Sequence, residues 1–436
     1  MSQRREAIQV LLLTIMALLV PWFVWRVVQE IPPAGTWEQP VSGGTRFPAS
    51  RQGFAKRELE ANPLQPEWLT HVQIVDFDGD ERSEIVVCDG RRQRIVVYRE
   101  SVNGDWLPET IAENLIAPAH ATVIDLDQDG DRDVVVAVLG DLWPNDSVIG
   151  KVVLLEHTER GFEPRVLLDD VRRVADVQAG DLDGDGDLDL AVAVFGYARG
   201  EILWLENVGS LRFRDHRLFV GPGTIHVPLS DYDQDGDLDI AAVVSQDLEE
   251  VWGFENLGSG QFQMRKLFGS ANFDLGSAGL VASDLDQDGD VDLVLPVGDN
   301  LEDLHSYPQP YHGCFWLENQ GHWNFAARRI AQFGGTYAAA VGDLDGDRDQ
   351  DVVLVSMFND WDQPGNASLI WLENDGRQNF TPWQIADRPT HLVTVSCGDL
   401  NGDGRADIVT GGLNLVPPFD RTSGVTLWLS RSQEAR

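Results

Sequence analysis

The residues best able to do chemistry in this chain are aspartates set two apart. Seven segments read D-x-D-x-D-G-x-x-D or a close variant, beginning at Asp76, Asp125, Asp181, Asp231, Asp284, Asp343 and Asp399. Carboxylates at positions one, three and five of such a loop turn inward, and glycine at position six permits the sharp bend. Position seven supplies a backbone carbonyl and the acid at position nine closes the shell. Six to eight oxygens of this kind suit a hard cation, Ca²⁺ above all. The predicted side-chain sets are Asp76, Asp78, Asp80, Glu84; Asp125, Asp127, Asp129, Asp133; Asp181, Asp183, Asp185, Asp189; and Asp231, Asp233, Asp235, Asp239. They continue with Asp284, Asp286, Asp288, Asp292; Asp343, Asp345, Asp347, Asp351; and Asp399, Asn401, Asp403, Asp407. No glutamate stands at position twelve and no helical pattern flanks the loops, which excludes an EF-hand.

Up to seven Ca²⁺ ions are therefore expected, with two sites in doubt. Glu81 and Arg348 occupy position six of the first and sixth loops, where a bulky residue strains the bend. The competing reading is an acidic face that is merely solvated. It is the weaker one, because nearly half of the 71 acids crowd into these loops and would repel one another without a cation. The formal charge of -38 also excludes non-specific nucleic-acid binding, which needs clustered Lys and Arg.

The elements that position the loops repeat with them. Successive loops start 49 to 59 residues apart, a period that points to a solenoid, propeller or array. Each is followed by a β-branched run, such as DLAVAV after Asp187. Next comes a strand like ILWLEN (Ile202 to Asn207), then an aromatic-led strand opened by Trp106, Phe162, Phe213, Phe262, Phe325 or Phe380. With the strand before the loop, that makes four short strands per unit, the content of a propeller blade. The final VTLWLS (to Ser430) lacks an aromatic-led successor, while an orphan strand of that type, FAKREL (Phe54 to Leu59), precedes the first loop. Pairing the two closes an all-β, seven-bladed ring of four-stranded blades and leaves no open end.

These repeats resemble the FG-GAP or VCBS type, and the ring resembles the integrin α-subunit propeller, from about Phe54 to Ser430. The resemblance implies that each acidic loop joins the first and second strands of its blade on the lower face and binds Ca²⁺. It assigns no ligand and no reaction.

The N-terminus reads differently. Residues 1–7 form a short cytoplasmic segment, and 8–28 a transmembrane helix or signal anchor built on the apolar run Ile8 to Trp25, which would span about 27 Å as a helix. Arg4 and Arg5 before the run against Arg26 after it place the propeller outside the cytoplasm, periplasmic or extracellular. A cleaved signal peptide is the alternative. Residues 29–53, rich in Pro and Gly, read as a tether, 54–430 as the propeller and 431–436 as a tail.

Outside the loops, one register position stands out. Five residues before the acidic loops lie His71, His120, Asp176 and His226, followed by Gly279, Ala338 and Thr394. The first four converge at the axial mouth opposite the calcium face. They could bind a transition metal or act as acid/base groups, although hydrogen bonding to loop backbone is the simpler role. The upper connections hold Trp143, Tyr197, Tyr307, Tyr311, Phe358 and Trp361 among carboxylates, a composition suited to stacking on sugars or to protein contact. Trp204, Trp316, Trp371 and Trp428 share one strand position and are expected in packing between blades. Cys88, Cys314 and Cys397 are too few for a disulfide framework, though Cys88 and Cys397 fall on adjacent blades once the ring closes.

The expected protein is a membrane-anchored, exported, Ca²⁺-binding recognition or adhesion module for a glycan or a protein. The alternative is an extracytoplasmic polysaccharide-active enzyme, lyase-like, with its site at the upper mouth. The shortage of Lys and Arg there argues against an acidic substrate.

Overall fold

A computed structural model describes residues 44–59 and 67–431, apart from 144, 247, 300, 302–307, 416–420 and 423. The apolar run Ile8 to Trp25 lies outside the described residues, among which no helix is long and apolar enough to cross a membrane.

Among the described residues, the strands form seven antiparallel sheets arranged as the blades of one propeller. The third blade shows the plan. Its strands Arg173–Gly180, Asp189–Phe195, Gly200–Asn207 and Phe213–Gly221 pair in that order from the axis outward. Second strands are apolar on both faces because neighbouring blades cover both. Asp133–Val138 (DVVVAV) and Asp292–Val297 (DLVLPV) are buried at every position. Outer strands cover the core on one side only, so Phe213–Gly221 alternates in exposure. The core therefore lies between blades: Val135, Val152 and Leu154 of the second pack with Val174, Leu190 and Val192 of the third.

The ring closes as the two terminal strands predict. Gly53–Glu58 pairs antiparallel with Thr426–Arg431, Phe54 opposite Ser430, and completes the seventh blade outside Leu392–Gly398 and Asp407–Gly412. On the inner side the first and seventh blades are joined by Val72 N–H to Thr394 Oγ1 at 3.0 Å and Ile74 N–H to Ser396 Oγ at 3.1 Å.

Three details differ from the expected plan. The tether assigned to 29–53 is already bound to the sixth blade from Gly44: Gly334 N–H donates to Gly44 O and Ala367 N–H to Thr45 O, both at 2.8 Å. Ala49 bridges Gln384, and Trp371 Nε1–H donates to Ser50 Oγ at 2.9 Å. In the fourth blade the inner strand is split into Thr224–His226 and Leu229–Ser230, with Pro228, which has no N–H to donate, in the break. In six of the blades the innermost strand carries a register shift at the residue five before its loop, as between Leu69 and His71.

Candidate functional site

The acidic loops connect first and second strands in every blade. In at least five of them the acids at positions one, three and nine have oxygens within 4.8 Å of one another: Asp76, Asp78, Glu84; Asp125, Asp127, Asp133; Asp181, Asp183, Asp189; Asp231, Asp233, Asp239; and Asp284, Asp286, Asp292. Position one organises the turn. Asp181 Oδ1 accepts Gly184 N–H at 2.8 Å and Oδ2 accepts Gly186 N–H at 3.0 Å. Position five closes a smaller turn, as Asp185 Oδ1 accepts Asp187 N–H at 2.8 Å.

Position six adopts the left-handed backbone throughout. Gly130, Gly186, Gly236 and Gly289 have φ of 101°, 93°, 98° and 99°, and Glu81 and Arg348 are held at 70° and 79°. The two departures therefore keep the loop shape at the expense of strain. Glu81 N–H still reaches Asp76 Oδ2 at 3.2 Å and Arg348 N–H reaches Asp343 Oδ2 at 2.9 Å.

The donor set fits a hard cation. Asp233 Oδ1 and Asp286 Oδ1 are buried without a hydrogen-bond partner, which is costly for a carboxylate oxygen. Burial raises the pKa of the position-three carboxyls Asp127, Asp183, Asp286 and Asp345, the last to about 6, and crowding by neighbouring carboxylates adds to it. A divalent cation beside them would supply the missing partner and offset the crowding. The ligands that would hold Ca²⁺ are the carboxylates at positions one and three with the acid at nine.

The position-nine acid has a second role that its place in the motif does not reveal. It is buried in all seven blades and in six of them clamps two backbone groups, while Glu84 of the first accepts Phe77 N–H at 2.9 Å. Asp239 Oδ2 accepts Tyr232 N–H at 2.9 Å and Oδ1 accepts Asn256 N–H at 2.7 Å. The same pair of bonds recurs at Asp133, Asp189, Asp292, Asp351 and Asp407. Position four was also missed. Gln128, Gln234 and Gln287 reach the next blade's loop, donating to Gly186 O, Gly289 O and Arg348 O at 2.6, 2.9 and 2.6 Å. The recurrence of Gln at that position in three loops, where the other four have Gly, was the available signal.

At the axis the blades enclose a cavity of about 1030 Å³. His71, His120, Asp176 and His226 line it together, on the inner strands of four consecutive blades. Each follows the register shift in its strand, and such a bulge re-aims the next side chain. The His71 and His120 rings lie 4.0 Å apart. His120 Nδ1 is 3.2 Å from Asp176 Oδ1, and His226 Nδ1 is 3.6 Å from Asp176 Oδ2. Backbone contacts are present too: Asp176 Oδ2 accepts Val227 N–H at 2.9 Å, and His71 Nδ1 faces Ala121 N–H at 3.4 Å. Burial alone would raise the Asp176 carboxyl, but His120 and His226 hold it below the usual carboxylate range. Burial lowers His71 and His120, favouring neutral rings.

The upper-loop aromatics separate into three groups. Trp143 and Tyr197 are exposed, at 56% and 47%. Trp361 and Phe358, expected on the surface, are buried; Trp361 Nε1–H donates to Met357 O at 3.2 Å and its ring lies 5.8 Å from His391. Phe358 joins Met357, Val393 and Leu413 in a buried apolar cluster. Tyr311 is half-buried against the fifth-blade core, and Tyr307 lies outside the described residues. The four repeated tryptophans are buried, and Trp204 packs on Phe262 of the next blade with ring centroids 5.7 Å apart. A Cβ at Gly260 would stand 2.1 Å from that indole, so glycine is required there. The three cysteines are unpaired.

The profile of the FG-GAP-like repeat matches residues 76–136, 181–242, 231–295 and 343–410, and each match begins at position one of an acidic loop. Among solved structures, the chain is similar to BBS1N in its complex with ARL6DN, at 10% identity and a TM-score of 0.53, covering 88% of this chain and 99% of that one. A rhamnogalacturonan lyase, YesW, is matched at 14% identity and a TM-score of 0.43, covering 92% and 77%. At that identity the likeness to BBS1N shows the fold alone. No curated protein matches the sequence.

Proposed function

The chain belongs to the FG-GAP-like repeat family, and from that premise we propose that it is a calcium-stapled recognition module whose upper axial face takes a glycan or a protein ligand. The apolar segment Ile8 to Trp25 would hold it at a membrane, with the propeller outside the cytoplasm. Ca²⁺ at the lower loops neutralises carboxylates and ties first strands to second strands, with the five glycine-bearing loops binding more tightly than the first and sixth. The upper face is then free to vary.

The observation that supports recognition is a pair of exposed aromatics, Tyr197 in the cavity lining and Trp143 next in sequence to the lining residue Leu142. Trp143 and Tyr197 stand on adjacent connections of the second and third blades. Those connections are tied together by Ala198 N–H to Asp146 Oδ1 at 3.0 Å. Arg173 braces the first of them by donating to Asp141 O and Leu142 O, both at 3.0 Å. Rigidly held aromatic faces stack on sugar rings or enter a protein interface at low entropic cost.

A second reading, action on a polysaccharide, draws on the His120–Asp176 pair, which has the form of an oriented acid/base group. It is disfavoured for uronate substrates. Arg173 is the sole Lys or Arg among the described lining residues, and its guanidinium is committed to loop carbonyls.

Binding to a glycan and protein array, followed by turnover assays on each hit, tests both readings. Trp143→Ala with Tyr197→Ala should abolish ligand capture while leaving the calcium-dependent melt unchanged. Capture that survives the double substitution removes the aromatic platform from the proposal. Turnover lost in His120→Ala would replace it with the enzymatic reading.

A further inference from the structure

We propose that the glutamines at position four make cation binding cooperative between neighbouring acidic loops, joining the second to the third and the fourth through the fifth to the sixth. The proposal rests on the reading that these loops hold Ca²⁺. It does not depend on what the upper face recognises.

Position four is strained in three of the loops. Gln128, Gln234 and Gln287 have φ of 61°, 63° and 59°, a left-handed backbone that glycine enters freely and a side chain disfavours. The other four loops place Gly79, Gly184, Gly346 and Gly402 there, at φ of 76°, 79°, 85° and 74°. The turn asks for glycine, and three loops carry a long polar residue against that preference. What these side chains reach is a separate observation. Gln128 and Gln287 donate through Nε2 to the position-six carbonyl of the following loop, Gly186 O and Arg348 O, both at 2.6 Å. Gln234 donates to Gly289 O at 2.9 Å and to Asp290 Oδ1 at 2.6 Å.

Each bridge runs from the ligands of one loop to those of the next. Gln234 stands between Asp233 and Asp235, the acids at positions three and five. The carbonyl it reaches belongs to the peptide leading into Asp290, whose own carbonyl is the expected position-seven ligand. Filling the fourth loop would fix Asp233 and Asp235, and with them the donor. Filling the fifth would fix Asp290, and with it the acceptors. Whichever loop fills first leaves less conformational freedom for the other to lose, and the coupling is reciprocal. Gln287 extends the run to the sixth loop, where Arg348 strains position six. The first loop has the same fault at Glu81, but the loop before it around the ring carries Gly402, which has no side chain to bridge with. The sixth loop should therefore bind Ca²⁺ more tightly than the first.

The test uses the full chain, with Tb³⁺ as the probe and affinity at the fourth loop as the readout. Trp323 Nε1–H donates to Asp233 Oδ2 at 3.0 Å, so this indole sensitises the luminescence of an ion held there. The component missing from Trp323→Phe identifies that signal. Disabling the fifth loop with Asp286→Ala should weaken Tb³⁺ at the fourth by about fivefold. Gln234→Gly removes the amide and relieves the strain, whereas Gln234→Met removes the amide alone. In both backgrounds Asp286→Ala should leave fourth-loop affinity unchanged. Fourth-loop affinity indifferent to Asp286→Ala in the parent, or weakening that persists without the Gln234 amide, would overturn the coupling and leave the calcium reading standing. Failure of Tb³⁺ to bind any loop would defeat both. Asp288→Ala, at position five, disables the same loop should Asp286→Ala fail to fold.

Discussion

Asp189 accepts the backbone N–H of Asn207 at 2.7 Å through Oδ1, while its Oδ2 accepts Leu182 N–H at 3.2 Å and the Trp204 indole N–H at 3.0 Å. One carboxylate thus ties the start of the acidic loop to the end of the third strand and to the tryptophan that packs on the next blade. The acid at position nine is a clamp of the fold before it is a candidate ligand, and the two roles can be separated.

Asp189→Ala orphans buried donors and should destabilise the protein by roughly 2–4 kcal/mol, in calcium and in excess chelator alike. Asp183→Ala removes a candidate cation ligand and one exposed loop hydrogen bond, from Asp185 N–H at 3.1 Å. Its cost should be larger in Ca²⁺ than in chelator, by about 1.4 kcal/mol when calcium is about tenfold above its dissociation constant. Denaturant melts under both conditions give the comparison. A parent melt indifferent to chelation, in protein that holds no metal beforehand, would remove Ca²⁺ from the loops.

Position six offers a gain in stability. Glu81 and Arg348 occupy left-handed backbone that glycine adopts without strain. Glu81→Gly and Arg348→Gly should each stabilise the chain by about 1 kcal/mol and tighten calcium at their own loop. Gly186→Arg should do the reverse. Calorimetric titration with Ca²⁺ and thermal melts are the readouts, and a destabilised Arg348→Gly variant would contradict the strain assignment.

Closure of the ring depends on Gly53–Glu58. Removing the chain through Leu59 exposes the Thr426–Arg431 edge, which should lower the melting temperature and promote aggregation through edge pairing. Light scattering during a thermal ramp detects both effects. A truncated chain that melts as the parent does would show that the last blade stands without its N-terminal strand.

His312 gives the fold an acid-sensitive element away from the loops. It is fully buried, and its Nδ1 accepts Gly335 N–H at 2.9 Å and Gln309 N–H at 3.2 Å. Burial, aided by the Arg329 charge, lowers it to about 3. The unfolded chain therefore binds a proton that the native chain refuses between about pH 6.5 and 3. The stability from this group is full above pH 6.5 and falls as pH drops through that window, by roughly 2–3 kcal/mol on reaching pH 4.5. His312→Asn keeps an acceptor near Nδ1 and cannot titrate. Its stability should decline less steeply on acidification at saturating Ca²⁺, and parallel pH profiles would rule the group out.

Much of this architecture could be read from the chain alone because its signals are contiguous. An acidic loop and the strand behind it occupy about fifteen neighbouring residues, so Asp181 to Phe195 declare their place in the blade without reference to anything distant. Repetition then multiplies a weak local pattern into a specific one. Ring closure followed from matching Phe54 to Leu59 with the strand ending at Ser430, since an unpaired edge is costly at either place.

What the sequence could not decide depends on separation through space. The register position before each loop gathered His71, His120, Asp176 and His226. Only the curvature of the ring and the bulges set which nitrogen meets the Asp176 carboxylate and leave His71 bound to backbone. The reach of Gln128 to Gly186 depends on the distance between blades. Trp361 carries the same chemistry as Trp143, yet one is buried and the other exposed, because a connection's path over the surface is fixed by what lies beneath it. Local spacing specifies a blade, whereas contacts between blades exist only after the chain has closed on itself.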